Sequence, residues 1–90
     1  MLTEPTASLR LDKWLWHARF FKTRGLAAQM VGGGKLRVNG RRVSKPGRAI
    51  RIGDVLTITL PGGVRVVRVL EMGVRRGPAS EAQSLYEEVP

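Results

Sequence analysis

Three consecutive glycines, Gly32-Gly33-Gly34, sit where the sequence changes period, and they constrain what this chain can become more than any other feature. Upstream the period is helical: stepping about 100° per residue from Leu11 puts Leu11, Trp14, Leu15, Ala18 and Phe21 on one face. A second helix over 24–31 follows, with Thr23 placed to cap it and Leu26, Ala27, Met30 and Val31 as its apolar side. Downstream, Lys35 to Asn39 alternates like a strand, with Leu36 and Val38 inward and Lys35, Arg37 and Asn39 outward. Glycine accepts the left-handed conformation that ends helices, so the triplet reads as a stop and a hinge into that strand. Two nucleotide-binding readings fail on spacing. A P-loop needs glycine where Gln29 stands and Ser or Thr where Leu36 stands; a dinucleotide fingerprint needs glycine where Arg37 stands.

Asn39-Gly40 is a strong hairpin signal and returns the chain through Arg41, Arg42 and Val43. After a turn over 44–48, Ala49 to Ile52 reads as a short strand with Ile50 and Ile52 inward. Val55 to Leu60 is the clearest strand, with Leu56, Ile58 and Leu60 inward, and Pro61-Gly62-Gly63 reverses it. In its partner, Val64 to Met72, Arg65 and Arg68 are three apart, which predicts a bulge near Val66-Val67 or else an edge strand with one arginine snorkelling. Pro78 at a first helical position, or Ser80 with Gln83 as a capping box, starts a short helix with Ala82, Leu85 and Tyr86 as its apolar stripe. The chain thus divides into a flexible leader over 1–8 ending at Ser8, a candidate helix cap, one domain over 9–72, and a tail over 73–90 that packs back on it.

The outer face of the first helix carries Lys13, Trp16 and Phe20, with Arg19 and His17 on its flanks. Such aromatics either stack on unpaired bases or are covered by a second layer, and Leu85 and Tyr86 are the expected cover. Asp12 in the first helical turn either offsets the helix dipole or pairs with a cation such as Arg24.

Charge decides between partners. Sixteen Lys and Arg face seven Asp and Glu, a net charge of +9, and twelve of those cations lie between residues 10 and 51 with Asp12 as the sole acid. Acids kept out of one region point to a polyanion. No segment has the roughly 20 apolar residues of a membrane span, and the first residues lack the apolar core of a signal peptide, so a cytoplasmic protein that does not engage membranes is expected. With no cysteine, one histidine and no acid–base or nucleophile set, the sequence offers no catalytic residue, metal site or cofactor site, and a non-enzymatic binder is expected. Lys22 and Arg24 flanking Thr23 at a helix start form a candidate phosphate site, read alternatively as a solvated basic corner. A corner, a hairpin and aromatics suit irregular RNA better than a DNA major groove.

The stretches RLDKWLW, ARFFKTR, GGGKLRVNG and RIGDVLTI resemble the alpha-L motif, the RNA-binding domain named after small-subunit ribosomal protein S-four, over roughly Leu9 to Leu60. The resemblance implies an α+β fold: two N-terminal helices on a small, mainly antiparallel twisted sheet of four or five strands, here with a short C-terminal helix, and RNA along the helices and hairpin. LDKWLW, RFFKTR and RRGPASEAQSLYEE are similar to the bacterial fifteen-kilodalton heat-shock protein family, ribosome-associated factors that commonly continue past LYEE into a basic helix. That likeness implies binding to rRNA of large ribosomal subunits that carry a nascent chain on tRNA, contact with the peptidyl-tRNA, and a role in rescue or recycling. Carried onto this chain, the RNA-binding positions are Arg10, Lys13, Lys22, Thr23, Arg24, Lys35, Arg37, Asn39, Arg41 and Arg42, to which the same basic run adds Arg19 and Lys45. A monomer is expected. The alternative is a stand-alone module for structured RNA or tRNA.

Overall fold

Seven residues suffice for the first helix, α1 (Leu11–His17), because backbone groups rather than side-chain caps close both of its ends. The structure, a computed structural model, describes residues 8–90, so most of the expected leader, 1–7, lies outside the described residues. At the helix start the amides of Leu11 and Asp12 donate to the carbonyls of Arg48 (2.8 Å) and Pro46 (3.1 Å). Those loop carbonyls replace the hydroxyl cap expected of Ser8. Ser8 instead opens strand β1 (Ser8–Arg10), antiparallel to β4 (Ala49–Arg51) with Leu9 opposite Ile50.

At its far end α1 stops earlier than its apolar period. The Arg19 amide donates to the Trp16 carbonyl (3.1 Å) and the Phe20 amide to the Leu15 carbonyl (3.0 Å), a Schellman closure with Arg19 at φ 64°. A side chain in that conformation costs about 1 kcal/mol, and Arg19 offsets it by donating Nε to the Gly77 carbonyl at 2.6 Å. Helix α2 (Arg24–Gly32) begins as expected, with the Leu26 amide donating to Thr23 Oγ1 at 3.0 Å. It ends in a second Schellman closure with Gly34 at φ 78°, so the glycine triplet is indeed the stop.

Strands β2 (Leu36–Val38) and β3 (Arg41–Val43) form the hairpin, and positive φ at both Asn39 (51°) and Gly40 (85°) makes its turn type I′. With β5 (Val55–Leu60), β6 (Gly63–Val69) and β7 (Tyr86–Glu88) they build an antiparallel sheet ordered β3-β2-β5-β6-β7. Leu36, Val38, Leu56, Ile58, Val67 and Val69 share one core with Leu11, Trp14 and Leu15 of α1 and Ala27 and Val31 of α2. Trp14 sits inside it and donates its indole N–H to the Glu71 carbonyl at 2.9 Å.

Four expectations are corrected here. The β5–β6 ladder runs without a bulge from Val55 opposite Arg68 to Leu60 opposite Gly63. Simple alternation holds because Arg65, on the face of Val67 and Val69, lies over the rings of Phe20 (5.0 Å) and Tyr86 (5.6 Å), while Arg68 on the other face pairs with Glu87 at 2.8 Å. Ile52 is not inward but 53% exposed, since β4 ends at Arg51 and a turn follows. Helix α3 (Ala79–Gln83) has Pro78 as its N-cap and no side-chain cap, so neither expected start is used. Tyr86 leaves that helix and opens β7, where Glu87 and Glu88 meet Arg68 and Arg65.

The cover over α1 is therefore shared. Tyr86 packs on Phe20 (4.8 Å between ring centres) and edge-on to Trp14 (6.3 Å), as expected of the tail. Trp16 is covered otherwise: Arg76 places its guanidinium 5.8 Å from the indole and donates to the Trp16 carbonyl at 3.2 Å. Leu85 is buried, and its carbonyl accepts the amides of Leu70 and Glu71 (2.8 and 3.1 Å). Leu85→Ala should cost about 2–5 kcal/mol in denaturant unfolding, and truncation after Gly77 should lower the melting temperature and shift tryptophan fluorescence. An unchanged melt for both would remove the tail from the core.

Candidate nucleic-acid interface

The sole acid of the basic region is buried at its centre. Asp12 is 3% exposed; its Oδ1 accepts Arg10 Nε (3.1 Å) and the Lys13 amide (2.8 Å), and its Oδ2 accepts Arg10 Nη2 (3.1 Å). Arg24 Nε lies 3.7 Å from Oδ2, the pairing that the sequence offered as one of two readings. Arg10 is the closer partner, and two residues apart on a helix would not have suggested it; the change from strand to helix at residue 11 brings the two side chains together. Burial alone would raise the Asp12 pKa, but the hydrogen bond and charge of Arg10, the charge of Arg24 and the Lys13 amide outweigh it, so the carboxyl is held below its ordinary value. Arg10 is held above its own by the hydrogen bond and charge of Asp12.

Around this anchor the expected residues fall into two groups. The loop whose carbonyls start α1 also sets Lys45 and Arg48 beside it, and the Arg10 guanidinium lies against Gly47, where a Cβ would come within 3.4 Å of Cζ. With Arg24, Thr23 and Lys22 at the start of α2, all exposed, these make a cationic corner, and Lys13 is half-buried next to it. The second group is the hairpin. Arg37 stands directly opposite Arg42 across β2–β3, a like-charge pair that destabilises a sheet unless a counter-charge lies on it. Lys35 and Arg41 are exposed on the same hairpin. Arg42 also packs on Gly34, 3.4 Å from where a Cβ would stand, tying the hairpin to the end of α2.

Two of the expected residues, both exposed, also make bonds within the protein. Arg19 closes α1 onto Gly77. Asn39 donates Nδ2 to Asp54 Oδ1 (3.1 Å) and accepts the Val55 amide on Oδ1 (2.9 Å), pinning the hairpin tip to the start of β5. Arg48 was missed, and its only signal was membership of the basic run.

The rest of the surface has a different electrostatic character. Arg65 pairs with Glu88, Arg68 with Glu87 and Arg75 with Glu81, while Arg76 is occupied by Trp16. Tail acids thus neutralise the arginines of β6 and Arg75, and among the described residues Asp12 is the acid in ion pairs at the corner while Asp54 meets the hairpin only through Asn39.

A helix pair and basic hairpin on one small antiparallel sheet define a class, and residues 9–56 match the S4 domain family. More narrowly, the chain belongs to the heat shock protein 15 family. It is 48% identical over 88 residues to heat shock protein 15 of Escherichia coli strain K12, covering 98% of this chain and 65% of that one. A solved heat shock protein 15 of Vibrio cholerae, described as trimeric, superposes with a TM-score of 0.86 at 43% identity over 92% of this chain and 83% of that one. Small ribosomal subunit protein uS4 of Rhodopseudomonas palustris matches at 39% identity over 49 residues, 54% of this chain and 24% of its own length. The chain spans about 65% of the length of the Escherichia coli relative.

Two buried ionisable groups give the fold a pH dependence. His17 is buried with Nδ1 3.3 Å from the Met72 carbonyl; burial lowers its pKa, the carbonyl opposes that, and the charges of Lys13 and Arg24 add to it. Its unfolded form binds a proton more readily, so stability should decline as pH falls below 6.5, and His17→Gln should flatten that decline. The lowered Asp12 pKa adds stability above 3.8 that is lost as pH falls through the folded value. Asp12→Asn should cost about 1–3 kcal/mol at neutral pH and remove that acid step. Urea melts across pH check both.

Proposed function

We propose that this chain is a non-enzymatic, ribosome-associated RNA-binding protein of the cytoplasm. It holds rRNA of the large ribosomal subunit, together with peptidyl-tRNA, and acts in rescue or recycling of subunits left with a nascent chain under heat stress. The observation that carries this is the segregation of charge: an exposed corner and hairpin rich in unneutralised cations, beside a β6 and tail whose arginines are all engaged. Placing Arg37 against Arg42 is unfavourable unless a polyanion lies across them. The names of the relatives, a heat shock protein and a ribosomal protein, support the setting.

In this reading Arg10, Lys13, Lys22, Thr23, Arg24, Lys35, Arg37, Arg41, Arg42 and Lys45 meet phosphate and sugar, and Arg19 and Asn39 hold the surface in shape. Phosphate contacts position an RNA, and its irregular shape, not a base sequence, is what a corner and hairpin read. In this reading one copy acts at a time, with Arg41 and Arg42 opposing any β3-to-β3 pairing of two copies; assembly into the trimer described for the Vibrio cholerae relative is the contrasting outcome.

Gradient sedimentation of cell extract tests the setting. Comigration with large subunits that carry peptidyl-tRNA is expected, and recovery with free tRNA alone would make the protein a general structured-RNA module. In vitro, affinity for RNA should fall with salt at a log–log slope of about −0.7 to −0.9 per phosphate contacted. Lys22→Ala with Arg24→Ala should make that slope shallower by about 1.5 with an unchanged circular dichroism spectrum. An unfolded spectrum would make the corner structural instead.

A further inference from the structure

Leu26 is 39% exposed although the helical period places it on the apolar side of α2. It lines an open groove of about 350 Å³ with Phe20, Met30, Leu60 and Pro61, and Lys22 lines it too. A second groove of about 220 Å³ shares Met30, Leu60 and Pro61 and carries Lys35. The two adjoin at Met30, Leu60 and Pro61, between α2 and the end of β5, and form a trough with Lys22 lining one part and Lys35 the other. No acid lines it, and neither lysine is in an ion pair among the described residues.

We propose that this trough takes one unstacked nucleobase of the bound RNA, with the phosphates on either side of that nucleotide meeting Lys22 and Lys35. The inference rests on the RNA-binding reading above and adds base contact to it. Charge complementarity selects the occupant. An apolar protein side chain would gain from Leu26, Met30 and Pro61 but leave both lysines unanswered, whereas a nucleotide is an apolar ring between two anions. The main groove is near the lower end of small-ligand sites, about 300 Å³, which suits one ring system and not a run of stacked bases. Burying a base there would cover the apolar surface that Leu26 leaves in water.

The test uses a short RNA stem-loop with a uridine-rich loop, and the same RNA made abasic at each loop position in turn. For the wild-type chain, one abasic position should weaken binding about tenfold, and the Met30 and Leu26 methyl resonances should move on binding the intact loop but not that abasic one. Leu26→Glu should lose at least the same factor and bind intact and abasic loops alike, with a shallower salt slope because the added carboxylate competes with phosphate for Lys22. Equal affinity for every abasic loop, together with unmoved Met30 and Leu26 methyl signals, would overturn base capture while a steep salt slope left the phosphate reading standing. A flat salt slope for the wild type would overturn both. Because the methyl measurement uses the unaltered protein, misfolding of the Leu26→Glu variant would not decide the result.

Discussion

A single buried carboxylate holds the interface in shape. Asp12 accepts Arg10 from the strand before α1, accepts the Lys13 amide within α1, and lies against Arg24 from α2. Three segments that carry cations are thereby fixed relative to one another by one anion. A buried charge is costly unless paired and hydrogen-bonded, and Asp12 meets that condition only while all three segments are in place. The dependence is mutual, because the cations of the corner would repel one another without it.

Charge is managed differently elsewhere. The last eighteen residues do not hang from the domain: they add β7 to the sheet, place Tyr86 on Phe20, and give Arg65 and Arg68 their carboxylate partners. Exposed pairs of this kind contribute little to stability. Their larger effect is to mask the positive charge of β6 and leave the corner and hairpin as the cationic surface. The folding of the tail and the location of the interface are in this sense one arrangement.

What the sequence could reveal followed how local each determinant is. The faces of α1 and α2, the Thr23 cap, the glycine stop and the Asn39-Gly40 turn depend on neighbours within a few residues, and all are present except that Leu26, expected on the buried side of α2, is exposed. Strand β4 was legible, but β1, its pairing with β4, and β7 were not, because they form only through partners distant in the chain. The bulge was a false inference for the same reason: without β7, Arg65 and Arg68 had no visible carboxylates. Within the interface the basic run was plain, whereas the internal roles of Arg19 and Asn39 depend on left-handed backbone at both positions, which composition does not reveal. Trp16 was assigned to the wrong cover because Arg76, fully sixty residues on, reaches its carbonyl.

The central claim is that RNA lies on the corner and hairpin and not on the neutralised sheet of β6 and β7. Photo-crosslinking of the full chain to RNA in cells, followed by mass spectrometry of the adducted peptides, addresses it most directly. The account predicts adducts within residues 10–48, at peptides containing Lys22, Lys35 and Lys45, and none within 63–88. Adducts concentrated on β6 and β7, with the corner and hairpin unmodified, would contradict it.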